Sequence, residues 1–294
     1  MRRCAFLTME NPAGFFVYDE LAHPPMAERG WRIDTIPWTQ PNVDWDDYEL
    51  VVVRSTWDYQ NDAERFLKVL ATIDASKARL ENPLEVMRWN IDKVYLKELE
   101  AKGVPIVPTR WLHGLSAGHI AELQSEFGTD QFVVKPLIGA NADDTFRIGM
   151  PSESCPNLAS AVQTFRDRDL MAQPFIESIQ SPGEYSLFYF GGEYSHSVLK
   201  TPADGDFRVQ EEHGSSLASI TPGEDLLRAG ALAMQAIEKD VLYARVDLVL
   251  VEDRPALMEI ELIEPSLYFT FDPESPARFA DAVERLMQTP SISE

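Results

Sequence analysis

The stretch LYARVDLVLVEDRPALMEIELI, residues 242–263, reads as two apolar strands with acids set into their interiors. Asp247 interrupts the first, and Glu259 and Glu261 interrupt the second. Side chains alternate across a strand, so Glu259 and Glu261 share one face while Met258, Ile260 and Leu262 share the other. Two carboxylates side by side on such a strand repel unless something positive joins them. If the strand ending at Val251 folds back on 256–263 as a hairpin, Asp247 reaches the same spot. Three oxygen ligands without imidazole or thiolate favour Mg2+, with Mn2+ as the near substitute, and such sites commonly complete their coordination with nucleotide phosphates. A sheet face turned to water is the competing reading, which the apolar character of both strands opposes.

Upstream, EYSLFYF (184–190) and EYSHSVLK (193–200) flank the turn signal Gly191-Gly192 and read as a hairpin, followed by a helix near 223–239. Lys200 at the end of that hairpin, Arg208 in GDFRVQ and Arg245 together suggest a positive pocket near the acids; singly, each reads as a solvated side chain. Lys135 closes the strand QFVVKP, where a long cation leaves an apolar run and suits a phosphate. The loop LIGANADDTF that follows could cover phosphates with backbone N–H groups, although an ordinary surface turn would look the same. Around these lie a helix near 117–127, a helix near 157–167 and the strand DLMAQPFI, an α+β pattern.

The first third alternates short apolar strands, CAFLTM (4–9), WRIDTI (31–36) and ELVVV (49–53), with helical spacing near 61–74, which reads as a parallel α/β layer. Ligands of such layers sit beyond the carboxyl ends of strands, so RSTWDY (54–59) faces a crevice and Arg54 could clamp a carboxylate. In the alternative, Arg54 pairs with Asp58 and Trp57 plugs the core. Helical spacing over 83–102 stops at Gly103, and VPIVPT then reads as a strand. The expected division is an α/β domain over 1–85 and a second domain over 86–294, with one lobe at about 110–175 and another at about 176–294.

A net charge of −22, from 48 acids against 26 bases over 294 residues, disfavours nucleic acid and anionic membranes as partners. No apolar run spans a bilayer and the start lacks a secretory apolar segment, so a cytoplasmic location is expected, with a homodimer left open. Cys4 in a strand and Cys155 in a polar loop make no disulfide framework. His196 and His213 read as structural, Trp31, Trp38 and Trp45 as packing or loop anchors, and Tyr268 and Phe269 as core filling. A dinucleotide oxidoreductase is disfavoured because TMENPAG, not GxGxxG, follows the first strand.

Lys93 in WNIDKVYL, Lys135 in FVVKP, MAQPFIES (171–178), GDFR (205–208), RVDLVLV and MEIEL occur in an order that resembles the ATP-grasp superfamily, in the branch of glutathione synthetase and the ribosomal-protein glutamate ligase. RSTWDY, NPLEVMRWNIDK and ELIEPSLYF look most like the subgroup containing the cycloserine-forming O-ureidoserine cyclo-ligase. The resemblance implies an α/β N-terminal domain plus an α+β ATP-grasp fold, ATP and Mg2+ as cofactors, and a small carboxylate or amino-acid substrate. It assigns Lys93 and Lys135 to the α/β-phosphates, the segment Gln173, Pro174, Phe175 and Ile176 to adenine, and Glu184 to ribose or substrate. Asp247, Glu259 and Glu261 become the metal ligands, with Glu261 where Asn is usual, while Arg208 and Lys200 contact the γ-phosphate and acyl phosphate. The implied reaction activates a carboxylate, held by Arg54 or Arg208, as an acyl phosphate that an amine displaces. An amine in the same molecule gives a ring; the alternatives are a two-substrate amide or peptide ligase, a kinase-like or carboxylase-like transfer on the same fold, and a non-catalytic nucleotide-binding module.

Overall fold

A computed structural model describes residues 1–149 and 156–288; Cys155 lies outside them. Its strands form three sheets. In the first, β1 (Arg2–Thr8), β2 (Trp31–Pro37), β3 (Leu50–Ser55) and β4 (Arg79–Glu81) are all parallel, in the order β2-β1-β3-β4. Alternation on β1 explains its unbroken apolar run, since both faces are covered. Cys4 and Phe6 pack with Phe279 and Val283 of the C-terminal helix Ser275–Gln288. Ala5 and Leu7 pack with Phe66 and Leu70 of the helix Ala63–Asp74.

The second sheet is antiparallel, ordered β5-β8-β6-β7, from β5 (Arg110–His113), β6 (Phe132–Pro136), β7 (Phe146–Ile148) and β8 (Asp169–Pro174). The helix Ala117–Phe127 beside it is capped by the Ser116 hydroxyl, which accepts from the His119 N–H at 3.3 Å, and ends at Gly128 with φ 64°. The third is ordered β11-β10-β9-β12-β13, from β9 (Glu184–Phe190), β10 (Glu193–Thr201), β11 (Ser216–Ser219), β12 (Tyr243–Val251) and β13 (Arg254–Glu261). Glu252 and Asp253, both at positive φ, turn β12 into β13. The register then sets Asp247 opposite Glu259 and Arg245 opposite Glu261. The other face, with Val246, Leu248, Leu257 and Ile260, packs with Leu226 and Ala233 of the helix Glu224–Gln235. Gly230 permits that approach, because a Cβ there would stand 2.3 Å from the Tyr189 hydroxyl.

Two expected elements differ. The helix read over 83–102 is two, Leu84–Asn90 and Tyr95–Ala101. At the break, the Asp92 carboxylate accepts from the Val94 N–H at 2.9 Å, and the Lys93 N–H donates to the Leu137 carbonyl at 2.9 Å. VPIVPT is not a strand but a single parallel bridge, Ile106 to Leu257. Pro105 and Pro108 lack the N–H groups that a ladder needs. Among the described residues, no helix is long and apolar enough to cross a membrane.

Candidate active site

A cleft opens between the second and third sheets, with its far end against the carboxyl ends of the first. Lys93, Lys135, Gln173 to Ile176, Glu184, Lys200, Arg208, Asp247, Glu259 and Glu261 all line it. Lys93 arrives from the helix break, Lys135 from the end of β6, Gln173 and Pro174 from β8, and the acids from the hairpin. The Gln173 side chain donates to the Thr109 hydroxyl at 3.0 Å, which orients this end of β8.

Cations hold most of the acids. Glu259 pairs with Lys93, and Glu261 with Arg245. Asp247 accepts from Arg245 at 3.0 Å, from Lys200 at 3.2 Å and from the Ser186 hydroxyl. Lys200 also meets Glu184 at 2.6 Å. Against the upward push of burial, Lys93 and Lys135 keep Glu259 below the ordinary carboxylate range, and Arg245 and Lys200 do so for Asp247. Burial, reinforced by Glu259 and Asp247 and opposed by Arg245, pushes Glu261 up to about 7. Burial, with Glu261 alongside, pushes Glu264 up to about 8. Burial and the neighbouring carboxylates thus favour the protonated forms of Glu261 and Glu264. Lys135 is the converse. Its ammonium rests 3.7 Å from the Met258 sulfur and forms no ion pair among the described residues, and burial, with Lys93 nearby, lowers its pKa.

The expected convergence of three carboxylates on one point requires correction. Among the described residues, no three His, Cys, Asp or Glu side chains stand close enough together to hold a metal ion. The cause is electrostatic: Asp247 is drawn to Lys200 and Arg245, Glu259 to Lys93, and Glu261 to Arg245. The donor set, all carboxylate oxygen and close to a cation without an anion, nevertheless fits a hard divalent ion in company with phosphate in its chemistry.

Arg54 also departs from expectation. It does not face the cleft but is buried, 1% exposed, with Nε 3.0 Å from Asp19 and Nη2 3.0 Å from the Pro265 carbonyl, its guanidinium lying over the Tyr243 ring. Asp19 and the Tyr243 face outcompete the crevice for its charge. The alternative pairing with Asp58 does not form either, because Asp58 accepts from the Trp38 indole at 2.6 Å. Trp57 lines the cleft and donates to the Glu264 carbonyl at 2.8 Å.

Several residues of the site escaped the sequence reading: Glu264, and Phe15 and Phe16 from the loop after β1, line the cleft, and buried Ser186 holds Asp247 from behind. Ser186 shares a strand face with Glu184, which alternation could have revealed. Tyr268 is core-like, 6% exposed, yet also borders the cleft. His196 is structural, as expected: it stacks on Phe188 at 4.3 Å, shares a hydrogen bond with the Leu267 carbonyl, and is lowered to about 4 by burial. Trp31, Trp38 and Trp45 are buried in the packing of the first layer. The loop over the cleft is tied to the first layer, since Asn141 donates to the Trp57 carbonyl at 2.9 Å and Gln60 to Asp143 at 3.0 Å.

Comparison with known proteins places this geometry. The N-terminal domain of the D-cycloserine synthetase DcsG, as a family, matches residues 4–82. The cycloserine biosynthesis protein DcsG of Streptomyces lavendulae is 31% identical over 279 residues, which is 90% of this chain and 93% of that one. A crystal structure of D-cycloserine synthetase DcsG superposes with a TM-score of 0.83 at 28% identity, covering 97% and 99% of the two chains. A D-alanine–D-alanine ligase from Bacillus anthracis, at 15% identity, shares the fold with a TM-score of 0.69 and 98% coverage of both chains.

Proposed function

From the premise that this chain belongs to the D-cycloserine synthetase family, ATP-dependent ligases of the ATP-grasp fold, we propose that it closes a ring within a small O-ureidoserine-like amino acid through an acyl phosphate. One observation carries the reading: Lys93 and Lys135, from separate elements, meet Glu259 and Glu261 in a cleft bordered by Gln173 to Ile176. Backbone groups of that segment suit adenine, and the two ammonium groups suit the phosphates next to it. With Lys93 and Arg245 on them Asp247, Glu259 and Glu261 do not converge, so they would hold Mg2+ only after phosphate oxygens take over those cations; the ion would then supply neutralisation of phosphate charge.

Lys200 and Arg208 lie where positive charge meets the transferring phosphoryl group, and both are already oriented, Lys200 by Glu184 and Arg208 by Asp206 at 2.7 Å. The substrate carboxylate attacks the γ-phosphorus and ADP leaves. A nitrogen of the same molecule then displaces phosphate and the C–N bond forms. Oriented cations lower the barrier because their reorganisation is complete before the reaction. The loop tied down by Asn141 and Asp143 keeps water from the acyl phosphate.

The test is ADP and phosphate release with O-ureidoserine as sole acid and no added amine, with the product identified by mass. One ADP and one phosphate per ring supports the reading. Release only when a separate amine is added points to a two-substrate ligase, and ATP binding without release under either condition points to a non-catalytic module.

A further inference from the structure

One buried carboxyl group in the cleft has no ion-pair partner among the described residues, its nearest acting cation being Lys93, which pairs with Glu259. Glu264 lies three residues beyond β13, is 7% exposed, and lines the end of the cleft nearest the first layer. The other buried acids there are paired, Glu184 with Lys200 and Asp247 with Lys200 and Arg245. The more open Glu259 and Glu261 have Lys93 and Arg245. Among the described residues Glu264 forms no ion pair, and its hydrogen-bonding neighbour is the neutral, buried phenol of Tyr59.

Its position is not incidental. The Trp57 indole holds the Glu264 carbonyl at 2.8 Å, and Arg54 holds the carbonyl of the next residue at 3.0 Å. Burial favours the protonated form of such a group, and a cationic ligand reverses that preference by pairing with the carboxylate as its proton leaves to solvent. The rings of Trp57 and Phe15, 5.4 Å apart, border the same end of the cleft. Aromatic faces favour a cation over an anion.

We propose that Glu264 seats the α-ammonium of the amino-acid substrate, making it the residue by which this cleft selects amino acids over plain carboxylic acids. The assignment rests on the ligase reading for its substrate class and deepens it. The ammonium is a spectator that keeps its proton, while the carboxylate on the same α-carbon points toward the phosphates.

The experiment is calorimetric binding, in the presence of a non-hydrolysable ATP analogue, of O-ureidoserine, serine and alanine and of the same three compounds with hydrogen in place of the amino group. The wild-type protein should bind at least one amino acid about tenfold or more tightly than its des-amino counterpart. Glu264→Gln should erase that preference, weakening the amino acid and leaving the des-amino acid within about twofold. Equal binding of both classes by the wild-type protein overturns the assignment without reference to any variant, as does a preference that survives in Glu264→Gln. ADP release, measured separately, reports on the ligase reading: a wild-type protein that shows the preference but releases no ADP keeps the ammonium seat and loses the reaction.

Discussion

At the end of the cleft bounded by β6 and β8, Lys135 is a cation without an ion-pair partner; at the end bounded by Trp57 and Tyr59, Glu264 is a carboxyl group without one, which burial holds toward its protonated form. Between them three cations hold four carboxylates, Lys93 with Glu259, Arg245 with Glu261 and Asp247, Lys200 with Asp247 and Glu184. The two ends therefore call for ligand groups of opposite sign, phosphate at one and ammonium at the other. In a molecule carrying −22 overall, Lys93, Lys135, Lys200, Arg208 and Arg245 all line this cleft, where a polyphosphate needs them. The same cleft leaves Glu264 without an ion-pair partner where an amino acid would bring its own cation.

The largest expected effect comes from the paired centre. Glu259→Gln keeps the shape and releases Lys93, so the fold should persist while turnover falls by about 1000-fold or more, roughly 4 kcal/mol of barrier. Steady-state ADP release, with an unfolding curve as control, checks this. A loss below about tenfold would place Glu259 outside the charge-neutralising group and break the division of the cleft into a phosphate end and an ammonium end. Next is Lys135→Ala, which removes the cation that has no protein anion. ATP affinity should fall about 10- to 100-fold, roughly 1.4–2.7 kcal/mol, read by calorimetry, with amino-acid affinity unchanged. If both affinities fall together, the two ends are one site and the comparison fails.

How far these ends could be read from sequence follows from the range of the interactions that build them. The acids of the hairpin were legible because strand alternation is local, and apolar neighbours make Glu259 and Glu261 conspicuous. Lys135 was legible for the same reason, as a cation at the end of a β-branched run. Lys93 was not legible from spacing: apolar residues over 83–102 fit a continuous helix, and only resemblance picked the lysine out of the break that Asp92 creates. Glu264 lies past the strand, where alternation no longer says which way a side chain points. The parallel layer was visible in its apolar runs, but its cover by the helix Ser275–Gln288 joins residues from opposite ends of the chain, which no local period encodes.

Arg54 marks the limit most clearly and gives the smallest expected effect. Its location at the end of β3 was readable, but its direction depends on Asp19, 35 residues away, and on Pro265, 211 residues away. The planar guanidinium meets Asp19 through Nε and Nη2 and the Pro265 carbonyl through Nη2, a fork that a lysine ammonium does not reproduce. Arg54→Lys keeps the charge and should lose one anchor, lowering stability by about 1–2 kcal/mol and the thermal midpoint by roughly 2–4 °C. ATP affinity should be unchanged. The amino-acid KM should rise only a few-fold, because the residue acts on the substrate end through the backbone that carries Glu264. If Arg54→Lys instead abolished amino-acid binding with an unaltered unfolding curve, the guanidinium would be touching substrate. The end assigned to an ammonium would then hold a cation of its own, and the contrast between the two ends would reverse.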